Sequence, residues 1–121
     1  MRRILVTGCC GYIGSHVCIE LLENNYEVIG IDNFSNSRQD VLELIENVIV
    51  FYQGDILDDR LLKKVFDENK IDAVIDFAAY KAVGDSVERP IDYYINNVSS
   101  VLMLTKMMQH YSVKSLIFSS T

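Results

Sequence analysis

The chain is short of several things, and each shortage excludes a class of protein. Lysine and arginine number 11 against 17 aspartates and glutamates, a formal net charge of −6. Non-specific nucleic-acid binding needs clustered cations, so no nucleic-acid partner is expected. Any phosphate ligand has to be held by local features rather than by a basic field. Long apolar runs are also missing. After Arg2-Arg3 the run Ile4-Leu5-Val6 stops at Thr7-Gly8, well below the roughly 7–15 residues of a secretory core. Nothing approaches the roughly 20 residues of a membrane-spanning helix, so no membrane partner is expected and a cytoplasmic location is inferred. The three cysteines, Cys9, Cys10 and Cys18, form an odd set without metal-like spacing. With no further Cys or His cluster to support Cys9 and Cys10, no metal is expected, and all three read as reduced thiols. Glycine, proline and serine gather nowhere, so no disordered linker is visible.

What is present is an apolar half of 121 residues, enough for the core of one domain or a piece of one. Arg3–Thr7 is a short β-branched run of the kind buried on both faces of a sheet. From Tyr12 to Asn24 the spacing becomes helical, with Ile13, Val17 and Leu21, and Cys18 and Leu22, on the expected inward face. Asn24-Asn25 is expected to end that helix, because Asn tolerates the left-handed conformation of many helix exits. Further strands are expected over Glu27–Ile31, Val48–Tyr52, Asp72–Phe77 and Val113–Ser119. Further helices are expected over Gln39–Glu46 (Val41, Leu42 and Ile45 inward), after a capping Asp58 (Leu61, Leu62, Val65 and Phe66 inward), and over Pro90–Tyr111 with Pro90 in its first turn. On this last helix Tyr94, Val98, Val101, Leu102 and Met108 form an apolar stripe, widened by Met103, Leu104, Met107 and Tyr111. Strand–helix alternation predicts an α/β fold: a Rossmann-type doubly wound parallel sheet of five strands in the order 3-2-1-4-5. The fifth strand is expected to leave the sheet incomplete at its edge, an apolar edge open to pairing.

The chemistry starts at Gly8-Cys9-Cys10-Gly11-Tyr12-Ile13-Gly14. Gly8 permits a tight turn out of the strand. Gly11 lets the backbone approach a pyrophosphate, and Gly14 lets the helix pack closely on the strand. The anion then meets free amides and the positive end of the helix dipole. Glycine spacing alone is weak evidence, but here a strand precedes and an amphipathic helix follows. Asp32 lies 18 residues beyond Gly14, close to the roughly 20 expected of a carboxylate that grips the adenosine ribose. Its charge disfavours a 2′-phosphate, so the cofactor expected is NAD rather than NADP, with Arg38 nearby as a counterweight. Asp55, after Gly54, reads either as a partner of the adenine amino group or as a turn carboxylate. Phe77-Ala78-Ala79 ends the fourth strand with small residues that let the backbone reach the cofactor.

These blocks, together with Asp32-Asn33-Phe34-Ser35-Asn36-Ser37, Gly54-Asp55-Ile56 and Tyr80-Lys81-Ala82-Val83-Gly84-Asp85-Ser86, resemble the extended short-chain dehydrogenase/reductase superfamily. The last block, continuing through Pro90, Tyr93-Tyr94 and Asn96-Asn97, is similar to the UDP-glucose 4-epimerase family. The resemblance implies an isomerase that interconverts UDP-galactose and UDP-glucose: a tyrosine takes the 4-hydroxyl proton, NAD accepts hydride from C4, and the 4-keto sugar rotates before hydride returns. It implies NAD contacts at Gly8, Gly11, Tyr12, Ile13, Gly14, Asp32 through Ser37, Asp55, Ile56, Phe77 through Lys81, and Asn96, with Thr121 as the hydroxyl proton relay. Lys81 has a logic of its own, since an ammonium near nicotinamide and diphosphate favours hydride uptake. The resemblance further implies a UDP-sugar partner and a homodimer formed through the Pro90 helix. Residues 1–121 are then expected to be the NAD-binding domain without the substrate-binding domain. No tyrosine in the sequence has a lysine four residues later, so the family's Tyr-x-x-x-Lys pair is not found and the chain by itself is expected to be inactive. The other readings are a nucleotide-sugar dehydratase or decarboxylase, against which the Lys81–Pro90 block argues, and a non-catalytic NAD-binding regulator. Cys9 and Cys10 replace the small residues usual in the loop; they are expected to fit, and to make it sensitive to oxidation. Tyr80 stands where leucine is more usual, which bears on packing near the nicotinamide.

Overall fold

The computed structural model describes residues 2–33, 43, 48–77 and 90–118. Five parallel strands, β1 (Arg3–Thr7), β2 (Glu27–Asp32), β3 (Val50–Gln53), β4 (Ala73–Asp76) and β5 (Leu116–Phe118), lie in the order β3-β2-β1-β4-β5. This is the expected doubly wound order, with β1 central: Leu5 pairs with Ile29 of β2 on one side and Val74 of β4 on the other. The described helices are α1 (Tyr12–Glu23), α2 (Asp59–Glu68) and α3 (Pro90–His110). The expected helix over Gln39–Glu46 lies, apart from Glu43, outside the described residues.

Strand alternation sorts the core into two layers. Leu5, Ile29, Ile31 and Val74 point to one face, where they meet Leu62, Val65 and Phe66 of α2 and Leu104 and Met108 of α3. Ile4, Val6 and Val28 point to the other, where they meet Cys18 of α1 together with Cys9 and Cys10 of the preceding loop. Both faces are covered, which is why β1 and β2 read as nearly unbroken apolar runs.

The helix ends follow from local chemistry. The Asp58 carboxylate accepts the amides of Arg60 (3.1 Å) and Leu61 (3.3 Å), a cap that contributes about 1 kcal/mol. At the exit of α1, Asn25 takes a left-handed φ of 67° and the Tyr26 amide returns to the Leu21 carbonyl at 3.0 Å. Ser112 does the same after α3, with φ 60° and the Val113 amide bonded to Met108 O at 2.8 Å.

Several expected details shift. Ile13 is 48 % exposed, and the face that α1 turns to the sheet runs through Gly14, Ser15 and Cys18. On α3, Leu102 is exposed, while Leu104 and Met108 are buried and Met103, Met107 and Tyr111 pack beside them. Of the expected stripe Met108 is therefore inward and Leu102 outward, while the side chains of Tyr94 and Val98 lie outside the described residues. β3 starts at Val50 rather than Val48, and β5 at Leu116 rather than Val113. β5 forms one end of the sheet, and its Ile117 is 61 % exposed. No helix among the described residues is long and apolar enough to cross a membrane.

Candidate dinucleotide-binding site

The carboxyl ends of β1, β2, β3 and β4 bring Thr7, Asp32, Gln53 and Asp76 to one edge of the sheet. Chain order reverses there, because β1 continues to β2 on one side while its other neighbour, β4, comes much later. Crevices of this kind are where open α/β sheets hold ligands.

The loop after β1 is shaped by its backbone. Gly8 has φ 70°, a left-handed geometry open to glycine at little cost. Its amide bonds Ile31 O at 2.8 Å, and the Gly11 amide closes back onto Gly8 O at 3.1 Å. A Cβ on Gly14 would stand 2.2 Å from Gly8 O, so α1 can approach β1 this closely only with glycine there. Gly11 sits at the N-cap of α1 in an extended conformation with no side-chain cap. The first amides of a helix lack intrahelical acceptors, so this end of α1 presents donors and a positive dipole end to an anion. Tyr12 is 82 % exposed and Ile13 is half exposed at that same end. The Tyr12 ring packs against His16 with centroids 4.7 Å apart.

Asp32 is the last residue of β2 and 5 % exposed. Its Oδ2 accepts the Cys10 amide at 2.9 Å, which ties the strand end to the loop. Asn33 is exposed and donates to Asp55 Oδ2 at 3.4 Å. Asp55 Oδ1 accepts the Leu57 amide at 2.9 Å, the geometry of a turn carboxylate. Ile56 is buried in the α2-side core; its side chain is packing, and only its backbone remains to meet a ligand. Phe77 donates its amide to Thr7 O and Thr7 Oγ1 and packs on the α1 side of the sheet. Phe34 through Ser37, Ala78 through Lys81 and Thr121 lie outside the described residues. Asn96 is placed within the backbone of α3.

Two residues of the crevice floor are not expected from sequence. Thr7 and Asp76 are fully buried, and the Thr7 hydroxyl donates to Asp76 Oδ1, joining β1 to β4 where the crevice opens. They lie 69 residues apart, and the only local signal is a polar residue closing each apolar strand.

The thiols bear on the expected sensitivity to oxidation. Cys9 and Cys10 are buried. Burial, then the Asp32 charge, pushes the Cys10 thiol up to about 11, and burial, then Cys10, pushes Cys18 up to about 12. Cys9 is also raised, mainly by burial. The thiolate is the reactive form, so burial of this kind works against the oxidation expected of the loop. The fold also carries Asp32 to both thiols: one ligand atom from each of Cys9, Cys10 and Asp32 lies within 4.8 Å of the others.

The site has the architecture of a dinucleotide-binding fold, and the chain belongs to the NAD dependent epimerase/dehydratase family, whose pattern matches residues 4–121. Among individual proteins, it is 47 % identical over 98 % of its length to the UDP-glucose 4-epimerase of Bacillus subtilis and 49 % identical over 98 % to that of Pasteurella multocida. It also superposes with a TM-score of 0.90, at 46 % identity and 98 % coverage, on the crystal structure of UDP-glucose 4-epimerase from Bifidobacterium longum in complex with NAD+ and UDP. The chain spans 36 % of each of those two curated relatives and 37 % of that crystallised chain.

Proposed function

We propose that this chain is the NAD-binding part, residues 1–121, of a UDP-glucose 4-epimerase that interconverts UDP-galactose and UDP-glucose. The carrying observation is the loop in which Gly8, Gly11 and Gly14 open the end of α1 beside the Asp32 carboxylate. The residues present fit the cofactor: Gly14 holds α1 against β1, the end of α1 offers amides to a diphosphate, and Asp32 ends β2 where a ribose diol would meet it. When bound, NAD supplies the transient hydride acceptance that epimerisation at C4 needs. The chain's own part is binding and orientation. Asp32 accepts from the ribose hydroxyls, Tyr12 and Ile13 cover the diphosphate, and Phe77 with Ala78 and Ala79 lines the path to the nicotinamide. Asn33 through Ser37, Asp55, Ile56, Tyr80 and Asn96 complete the NAD contacts, and Lys81 supplies positive charge beside the nicotinamide. Thr121 relays the proton of the sugar 4-hydroxyl. The working enzyme is a cytoplasmic homodimer acting in galactose metabolism, with a UDP-sugar as its partner.

Proton transfer needs a group within hydrogen-bond reach of the substrate, and no Tyr-x-x-x-Lys pair occurs in the 121 residues. The chain is therefore expected to bind NAD without turning over UDP-galactose. Calorimetric titration with NAD, paired with a coupled assay for UDP-glucose, tests this. Saturable NAD binding with no turnover is the expected result. Failure to bind NAD, or robust turnover, would refute it.

A further inference from the structure

The glycine loop carries a chemical feature that dinucleotide binding does not use. Cys9 Sγ and Cys10 Sγ stand 3.9 Å apart. Two sulfurs bound to one tetrahedral ion at about 2.3 Å each stand about 3.8 Å apart, so the thiols already have the spacing of a chelate. A carboxylate oxygen of Asp32 lies within 4.8 Å of both. Its other anchor is built in, because Asp32 Oδ2 accepts the Cys10 amide at 2.9 Å and fixes the carboxylate beside the thiols. Gly30 makes the room: a Cβ there would stand 2.6 Å from Cys9 Sγ. The three ligand residues are 0, 1 and 5 % exposed, a cluster already assembled in the fold.

We propose that Cys9, Cys10 and Asp32 form a site for a soft divalent cation of the Zn2+ or Cd2+ class, and that its occupation weakens the binding of a dinucleotide. Two sulfurs favour a thiophilic ion over Mg2+ or Ca2+. Three protein ligands leave a further position for solvent. Binding displaces the two thiol protons to the medium, and no electrons move. The dication replaces two protons, so the cluster keeps the single negative charge that Asp32 gave it before. What changes is the carboxylate: held on the cation, Asp32 is no longer free to grip a ribose. The weakening rests on the proposed NAD site; the cation site itself does not.

The experiment uses the reduced 121-residue chain, refolded with Cd2+ so that burial does not limit uptake. Expected are one bound Cd2+ by native mass spectrometry and a thiolate-to-cadmium absorption band. The band should vanish in Cys9→Ala and Cys10→Ala and persist in Cys18→Ala. X-ray absorption of the Zn2+-loaded wild-type chain, which needs no variant to fold, should show two sulfur neighbours and otherwise oxygen or nitrogen. Saturating Cd2+ should weaken NAD within the roughly 5- to 150-fold range of coupled sites. No band and no bound metal in the wild type, a band that survives in Cys9→Ala and Cys10→Ala, or a sulfur-free shell would overturn the site. Unchanged NAD affinity in the Cd2+-loaded chain would overturn the weakening. A chain that ignores NAD with or without Cd2+ sinks the cofactor reading, while the band still decides the cation site.

Discussion

On the face covered by α2 and α3 the sheet buries Leu5, Ile29, Ile31 and Val74 against leucine, valine, phenylalanine and methionine side chains. On the face covered by α1 it buries Ile4, Val6 and Val28 against three cysteines. The first layer holds more buried side chains, Phe66 among them, and its two helices pack by side chains. The second has Leu21, Leu22 and Phe77 packed at its margin, and its helix packs partly by backbone, with Gly14 against Gly8. Stability and binding have thus been divided between the faces: one supplies apolar area, and the other brings a helix end near enough to the sheet to form a crevice.

That division can be broken from either side. The largest effect is expected from Leu62→Ala on the face covered by α2 and α3. Leu62 is fully buried, so the loss should be about 2–5 kcal/mol by urea denaturation, with NAD affinity of the folded fraction unchanged. Next is Gly14→Ala on the face covered by α1, where the backbone has to move away from the new methyl. Overpacking of this sort costs about 1–3 kcal/mol, and here NAD binding should be lost along with it. Asp32→Asn should leave stability nearly intact, since an amide oxygen can still accept the Cys10 amide. It should weaken NAD by the roughly 1.5–3 kcal/mol of a charged hydrogen bond, read by calorimetry. Smallest is Asp58→Ala, expected to cost about 1 kcal/mol of stability with no change in NAD affinity. If Leu62→Ala weakened NAD as much as Gly14→Ala did, the two faces would not be separable.

The same contrast explains what the sequence disclosed. Strand order and the glycine loop were legible because they rest on local pattern: a buried apolar run, glycines at fixed spacing, then a helical period. The inward face of α1 was misread at Ile13 because helical periodicity ranks residues by hydrophobicity, whereas the sheet-facing side of the first turn is made by small residues, Gly14 and Ser15. Leu102 was misread for a related reason: α3 is apolar around much of its surface, so periodicity alone fixes its rotation poorly. The strand starts shifted because a β-suited composition does not say where pairing begins: the ladders open at Ile29 with Val50 and at Val74 with Leu116, the Val74 amide reaching back to Ser115 O at 3.0 Å. Thr7 with Asp76, and Asp32 with the two thiols, were invisible in principle. Each pair is assembled across strands by residues distant in the chain, and nothing in either local segment announces the other.

The central position of β1 also bears on how the protein is made. Its first neighbour, β2, follows within a few tens of residues, but its second, β4, begins only at Ala73. During synthesis, a chain that has emerged only through β3 holds one ladder of β1 without a mate. Ile4, Leu5 and Val6 then line a raw edge until translation delivers Ala73–Asp76. Slow codons or pauses before that stretch would lengthen the interval in which two nascent chains can join through β1.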